Sequence, residues 1–457
     1  MAEENQNRGM KKDFIQRHAG KAATGTAWLS TGTYVLVLVV LLASHAAAAN
    51  WPAWRYDGHG IAPEKSAPVK WSATENVRWR TALPDRGNGS PIVWGNKVFV
   101  TQAAGEKRDL MCFDRSNGKL LWQTGTTYAD KEATHETNPY GSSTPVTDGE
   151  RVIAWFGSAG LACYDLEGKE LWKRDLGKQD HMWGYGSSPI IQGDLCILHF
   201  GPGPRTFLLA VDKKTGRTAW QVDLPENDPP QRFDGFAGRK GQPIGSWSTP
   251  LMVKSPGREE LVLSIPGEVR GFEPKTGKEI WKCDGLNPLI YSSVMAGEGV
   301  IVATGGFMGG TVAVKMGGSG NISDQKLWSV QRERKNRINT GVIARGHVFL
   351  CNMDGIAQCL ELATGKEKWS ERLRPTAAKG EIWGSSILVG DNIYVMNQSG
   401  DTLVMKASPE KFDLLATNPL KDLSNSTPAI SNGEIFLRTE RALWCISEKN
   451  SERAALR

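Results

Sequence analysis

The sequence predicts an all-β fold, an eight-bladed β-propeller of four-stranded antiparallel blades closed by an N-terminal strand. Three observations predict it. A phrase ending in tryptophan, Asp-x-x-x-Gly-Lys-x-x-Trp, occurs in five copies, and a small-polar anchor followed by short apolar strands occurs eight times. The last unit also lacks a fourth strand, and the residues ahead of the first unit can supply one.

The phrase reads FDRSNGKLLW at 113–122, YDLEGKELW at 164–172, VDKKTGRTAW at 211–220, FEPKTGKEIW at 272–281 and LELATGKEKW at 360–369. Asp, Asn and Thr side chains bond back to nearby amides, and Gly takes the φ > 0 position, so each copy is a strand, a tight turn and a second strand. The tryptophans Trp122, Trp172, Trp220, Trp281 and Trp369 then open the next strand. A large ring recurring at one place in every repeat is a wedge between neighbouring units, burying about 150–250 Å² each time.

The anchors are Ser90-Pro91, Thr144-Pro145, Ser188-Pro189, Thr249-Pro250, Ser293-Val294, Gly341-Val342, Ser386-Ile387 and Thr427-Pro428. They recur every 41 to 61 residues, too long for a helical solenoid and suited to four short strands per blade. The eighth unit supplies GEIFLR and ALWCIS, then ends in a charged tail. The missing strand is VRWR at 77–80, with Trp79 in the docking position, and its pairing with the last blade removes an exposed sheet edge.

Gly is abundant, at 51 of 457 residues, and helix-period patterns are scarce. The expected organisation is an export signal over 1–49, an N-terminal extension over 50–76, the propeller over 77–447 and a charged tail over 448–457. Basic residues precede a short apolar run that ends in small residues, the pattern of a signal segment, with an uncleaved anchor as the other reading. This places the protein in the periplasm or outside the cell, with no stable membrane insertion once the signal is removed. A formal net charge of +6 is near neutral for this length, which gives no footprint for nucleic acid.

The seven cysteines form no disulfide framework. Cys112, Cys163, Cys359 and Cys445 occupy one repeat position, where other units carry Ala210, Gly271 or Ala313, and so read as small core residues. Cys351 and Cys359 lie on adjoining strands of one blade, which leaves their pairing open.

The loops entering each innermost strand are unusually aromatic. Tyr140, Trp183 with Tyr185, Trp247, Tyr291 and Trp383 each precede an anchor closely, and equivalent phase predicts a crown of rings around one funnel. The same loops carry His135, Glu136, Asn138, Asp180, His181, Arg337, Asn339, Glu381 and Asn425. Two readings stay open: the rings plug the channel and pack blade on blade, or they wall a site for a small ligand or an envelope protein. Two loops exceed the repeat, 126–139 and 225–244, and long loops in a regular scaffold are often functional. A basic run, Arg332, Arg334, Lys335 and Arg337, reads as a solvated loop or a contact for an acidic partner. No metal-ligand spacing, nucleophile elbow or phosphate-binding loop occurs, and His59, His135, His181, His199 and His347 are scattered.

With these repeats in view, the chain resembles the pyrroloquinoline-quinone-like repeat propellers, which include quinoprotein alcohol dehydrogenases and BamB-type outer-membrane assembly proteins. AVDKKTGRTAW at 210–220 matches that family's tryptophan-docking motif. The resemblance implies the fold and allows two functions. Quinoprotein dehydrogenases hold their quinone against a disulfide between adjacent cysteines, and this chain has no such pair; their calcium ligands and catalytic Asp find no counterpart here. The BamB-type proteins carry a lipid-anchor cysteine, which is also missing. The reading is therefore a monomeric, non-catalytic binding or scaffolding propeller with no cofactor, and the alternative is a dehydrogenase using pyrroloquinoline quinone and calcium in the funnel.

Overall fold

The computed structural model describes residues 50–224, 232, 234–236, 238, 243–331 and 336–448. The chain parts into two units, Met1–Ala46 and Ala47–Arg457. The export signal over 1–49, the tail beyond Glu448, most of the 225–244 loop and Arg332, Arg334 and Lys335 lie outside the described residues. Among the described residues, no helix is long and apolar enough to cross a membrane.

Eight antiparallel sheets form the ring, over 92–127, 146–174, 190–223, 251–284, 295–330, 342–372, 387–419 and 429–446 with 77–82. The middle strands are mostly apolar and largely buried, as in Arg151–Trp155, where VIAW follows a buried Arg151, whereas fourth strands such as Glu170–Arg174 stay partly in solvent. Val77–Ala82 pairs with Ala442–Ile446, with Trp79 opposite Cys445, so the N-terminal strand closes the eighth blade. The fourth blade gains a fifth strand, Gly320–Asn321, parallel to Glu279–Asp284.

The tryptophans obey one local rule. Cys445, Cys112, Cys163, Ala210, Gly271, Ala313 and Cys359 pair across the ladder with Trp79, Trp122, Trp172, Trp220, Trp281, Trp328 and Trp369, and a register shift adjoins each pair. A small residue opposite the ring leaves it room, and the bulge turns it toward the neighbouring blade. The indole N–H then donates to a turn carbonyl of the next blade: Trp79 to Arg115 O (2.7 Å), Trp122 to Leu166 O (3.0 Å), Trp220 to Pro274 O (3.1 Å) and Trp369 to Ser408 O (2.9 Å). Under the rings sit Gly118, Gly168, Gly216 and Gly277, where a Cβ would come within 2.5–2.8 Å of the indole. The turn glycine is thus required by close approach as well as by its positive φ.

Three expectations need correction. Trp122 and Trp172 are half-buried, because the outer strand leaves one edge of the ring in solvent. Trp281 is buried, but its N–H donates to Glu260 Oε2 (2.9 Å) within its own blade. In the next blade the tight turn is replaced by the excursion that carries Gly320–Asn321, which pairs with the Trp281 strand itself. A Cβ on Gly271 would lie 2.1 Å from that indole nitrogen, which explains glycine where other blades have Cys or Ala. Trp328 is a docking ring that the repeat phrase misses; it donates to Leu362 O (2.8 Å).

All seven cysteines are free and buried, Cys351 and Cys359 included. Burial pushes the thiols of Cys112, Cys163, Cys351 and Cys359 up to about 12, far from the thiolate form that reactivity needs.

The N-terminal extension does more than precede the ring. Trp51 bridges Val93, Thr147 N–H donates to Pro52 O (2.9 Å), and both His59 ring nitrogens meet carbonyls, of Ala296 (3.0 Å) and Met252 (3.1 Å). Ala62 N–H donates to Leu388 O (2.8 Å) and Asn432 N–H to Glu64 Oε1 (3.0 Å). Fully buried Arg55 spends its guanidinium on carbonyls of Gly58, His59, Gly341 and Ser386. Burial lowers its pKa to about 9. The segment therefore ties seven of the eight blades together along their innermost strands, from the anchor residues Gly341 and Ser386 to Asn432 past the last strand.

Candidate functional site

At the near ends of those strands the eight anchors form a closed ring of hydrogen bonds. The backbone N–H of Ser90 donates to Thr144 Oγ1, that of Thr144 to Ser188, and so on through Thr249, Ser293, Thr340, Ser385 and Thr427 back to Ser90, at 2.8–3.2 Å. In two blades the hydroxyl residue is Thr340 and Ser385, one position ahead of the expected Gly341 and Ser386. Each hydroxyl accepts one bond and still has a proton to donate. All eight residues are buried and line one cavity of about 300 Å³ on the channel axis.

Aromatic rings wall that cavity on one side. Trp247 stacks on Tyr291 (4.9 Å between centroids), Trp183 lies 6.0 Å from Trp247, and Phe307 meets Tyr291 edge-on at 5.3 Å. Phe236 packs against Trp183 at 5.9 Å. Trp383 lines the opposite part, and Trp54 enters from the N-terminal extension. The Tyr291 hydroxyl and Asn425 Oδ1 are buried without a partner.

Above this throat a second cavity of about 510 Å³ shares His135, Thr137, Phe307, Trp383 and Asn425 with it and adds charge: Arg86, Glu136, Lys379, Glu381 and Glu440. The long loop before the second blade arches here. Its Thr137 carbonyl accepts from Asn88 (2.9 Å) and Asn425 (3.0 Å), and Asn138 donates to the carbonyls of Trp183 (2.7 Å) and Tyr185 (2.9 Å). The buried pair Arg108–Glu132 anchors its base, with Glu132 also accepting from Ser158 N–H at 2.8 Å.

The sequence-derived crown thus divides. Trp183, Trp247, Tyr291, Trp383 and His135 line the throat, and Glu136 and Glu381 lie on the charged rim. Tyr140 and Tyr185 do not reach the throat. Tyr140 lies under Arg108 (4.0 Å) with its hydroxyl on Glu132 O, and Tyr185 packs on Trp155 (4.7 Å) in the core between blades. His181 backs the aromatic wall, edge-on to Trp247 at 4.9 Å, and burial lowers its pKa to about 4. Arg337 and Asn339 are buried beneath the lining, where Asn339 bonds Gly384 O and Ser386. The phase of a residue ahead of its anchor sets its height and not which way its side chain turns. Asn88, Phe236, Phe307 and Trp54 went unmarked, since none falls in the repeated position.

Chemically the throat is neutral: among the described lining residues stand hydroxyls, amides and rings, one histidine, and no Asp, Glu, Lys or Arg. Among the described residues, no group of three or more His, Cys, Asp and Glu side chains is placed so that it could hold a metal ion. Pyrroloquinoline quinone is a tricarboxylate and calcium demands several oxygen ligands, carboxylates foremost. The throat therefore does not fit that pair, since it offers neither a cation for the quinone's carboxylates nor an anion for the metal.

Residues 64–203 and 204–455 match the family profile described as outer membrane protein assembly factor BamB. A polyvinylalcohol dehydrogenase from a Pseudomonas species is 23% identical over 264 residues, covering 51% of this chain and 40% of the relative, so the chain matches well under half of that enzyme. Among solved structures, BamB from Moraxella catarrhalis superposes with a TM-score of 0.57 at 12% identity, over 81% of this chain and 96% of that one. Quinohemoprotein alcohol dehydrogenase from Comamonas testosteroni gives 0.62 at 13% identity, over 89% and 82%. At these identities the two structures speak for the fold alone.

Proposed function

The chain belongs to the family described as outer membrane protein assembly factor BamB, and from that premise we propose that it is an exported, non-catalytic binding propeller of the cell envelope. Its throat takes up a ligand or a partner segment, and its outer surface serves as a scaffold. The observation that carries this reading is the throat itself: a concave, neutral, aromatic-walled cavity on the axis, toward which a ring of eight hydroxyls converges and where the Tyr291 hydroxyl and Asn425 Oδ1 lack a partner. Ligand sites are concave and set convergent polar groups among aromatic side chains.

The similarity to polyvinylalcohol dehydrogenase favours a second reading, a quinone-dependent dehydrogenase. The neutral lining and the lack of adjacent cysteines count against it. Titration of the purified protein with pyrroloquinoline quinone and calcium, followed by absorbance and a dye-linked alcohol oxidation assay, separates the two. The binding reading expects no turnover; stoichiometric uptake with turnover reverses the order.

A further inference from the structure

We infer that the throat is built for a neutral polyhydroxylated chain, one that alternates apolar C–H faces with hydroxyl groups, as an oligosaccharide does. The inference rests on the binding reading above and names its ligand class. Three features converge on it, and two of them each exclude an alternative.

The first is charge. With no charged side chain among the described residues of the throat, an ionic ligand would shed its hydration without gaining a counter-charge, a cost that buried ions rarely recover. The charges stay on the rim, at Arg86, Glu136, Glu381 and Glu440.

The second is the wall. Trp247 and Tyr291 stack on each other with 22° between their planes, so each covers one face of its neighbour, while half-buried Trp183, tilted 34° from Trp247, and half-buried Trp383 line the cavity. The half-buried indoles of Trp183 and Trp383 offer apolar surface of the size of a pyranose ring, whose axial C–H bonds carry partial positive charge toward the negative π-face.

The third is the polar set, which excludes a purely apolar ligand. Eight hydroxyls each retain a proton, and the Tyr291 hydroxyl and Asn425 Oδ1 lack any partner although buried. An apolar guest would leave these groups unpaired, whereas a guest hydroxyl both donates and accepts and can satisfy either kind. Burial holds Tyr291 far above the usual phenol range, so it stays a neutral donor at every physiological pH.

The experiment is calorimetry with parallel tryptophan fluorescence on the full mature chain. The probes are cellohexaose, maltohexaose, a short poly(vinyl alcohol), oligogalacturonate and a neutral heptapeptide. The expected result is saturable binding of at least one hexaose or of the acyclic polyol, which also tells the two sources of this chemistry apart, with oligogalacturonate at least about 10-fold weaker. Tyr291→Phe, which removes one oxygen from a ring that otherwise packs as before, should weaken the neutral probe about 10-fold and leave the melting temperature unchanged. Trp183→Leu should abolish the fluorescence response. Equal binding of the neutral probe to both variants overturns the inference, because the site then lies elsewhere. Trp183-dependent binding of the heptapeptide or oligogalacturonate alone overturns it and leaves the binding reading standing. Silence from every probe overturns both.

Discussion

The backbone N–H of Thr427 donates to the Oγ of Ser90 at 3.0 Å across 337 residues of sequence, and so completes the ring of anchors at the same junction where Val77–Ala82 completes the last sheet. One seam thus carries two independent closures, a hydroxyl at the axis and a β-ladder at the rim. Arg438 adds a third, donating to the carbonyls of Gly89 (3.1 Å) and Thr101 (2.6 Å).

Because the extension and the closing strand both lie ahead of the first blade, deleting residues 50–85 should abolish the single cooperative thermal transition. The deletion removes Trp79, buried Arg55 and the strand paired with Ala442–Ile446 together, and exposes a sheet edge. Deleting everything after Ser447 should leave the melt unchanged. Circular dichroism melts of the two truncations make the test, and equal melts would show that the N-terminal closure contributes nothing.

Docking rings should differ by their burial. Trp220→Ala removes a buried ring over Gly277 and its bond to Pro274 O, and should cost about 3–5 kcal/mol. Trp122→Ala, at a half-buried ring, should cost clearly less. Trp220→Phe keeps most of the packing and loses the hydrogen bond, for about 1 kcal/mol. Urea titrations give all three values, and a flat response to Trp220→Ala would contradict the wedge role.

Blade number, closure and a recurring small core position were legible in the sequence, because a repeat constrains every copy to the same pleat and the same neighbour; that this position faces the tryptophan was not. Cys112 and Cys163 stand where Ala210 stands for the simple reason that each faces a tryptophan across the ladder. Legibility failed where one blade departs from the rest. Trp328 went unrecognised because an excursion replaces its turn, although Ala313 in the small-residue position marked the place. Thr340 and Ser385 were missed by one residue because glycine and serine neighbours blur the anchor's phase. Tyr185 and Trp183 are two residues apart and share one hydrogen-bonding strap from Asn138, and only packing separates them: Tyr185 turns onto Trp155 in the core while Trp183 lines the cavity.

Stability should fall with acid through two histidines. His199 is fully buried, with Nδ1 facing Ser248 O at 3.0 Å and Nε2 unpartnered, and burial lowers its pKa to about 4, as it does for His181. The unfolded chain takes up these protons near pH 6.5 and the folded one only near 4, so the contribution is complete above 6.5 and is lost as pH falls toward 4. For His199 this amounts to about 3 kcal/mol. Denaturation midpoints measured from pH 7 to pH 4 should show a slope that shrinks in His199→Gln, and an unchanged slope would place the acid sensitivity elsewhere.

The throat and the core behind it should respond in opposite ways to loss of a ring. Trp183 and Trp383 are half-buried and face the cavity, so Trp183→Ala and Trp383→Ala should abolish capture of whatever occupies it while the melting temperature stays nearly unchanged. Tyr185, two residues from Trp183, is buried against Trp155, and Tyr185→Ala should cost about 3–5 kcal/mol and lower the melt. The contrast separates a site from a plug, because a plug derives its stability from the axial rings themselves. If Trp183→Ala and Trp383→Ala lower the melt as much as Tyr185→Ala does, the axial aromatics are packing groups, and the throat is an internal seam between blades.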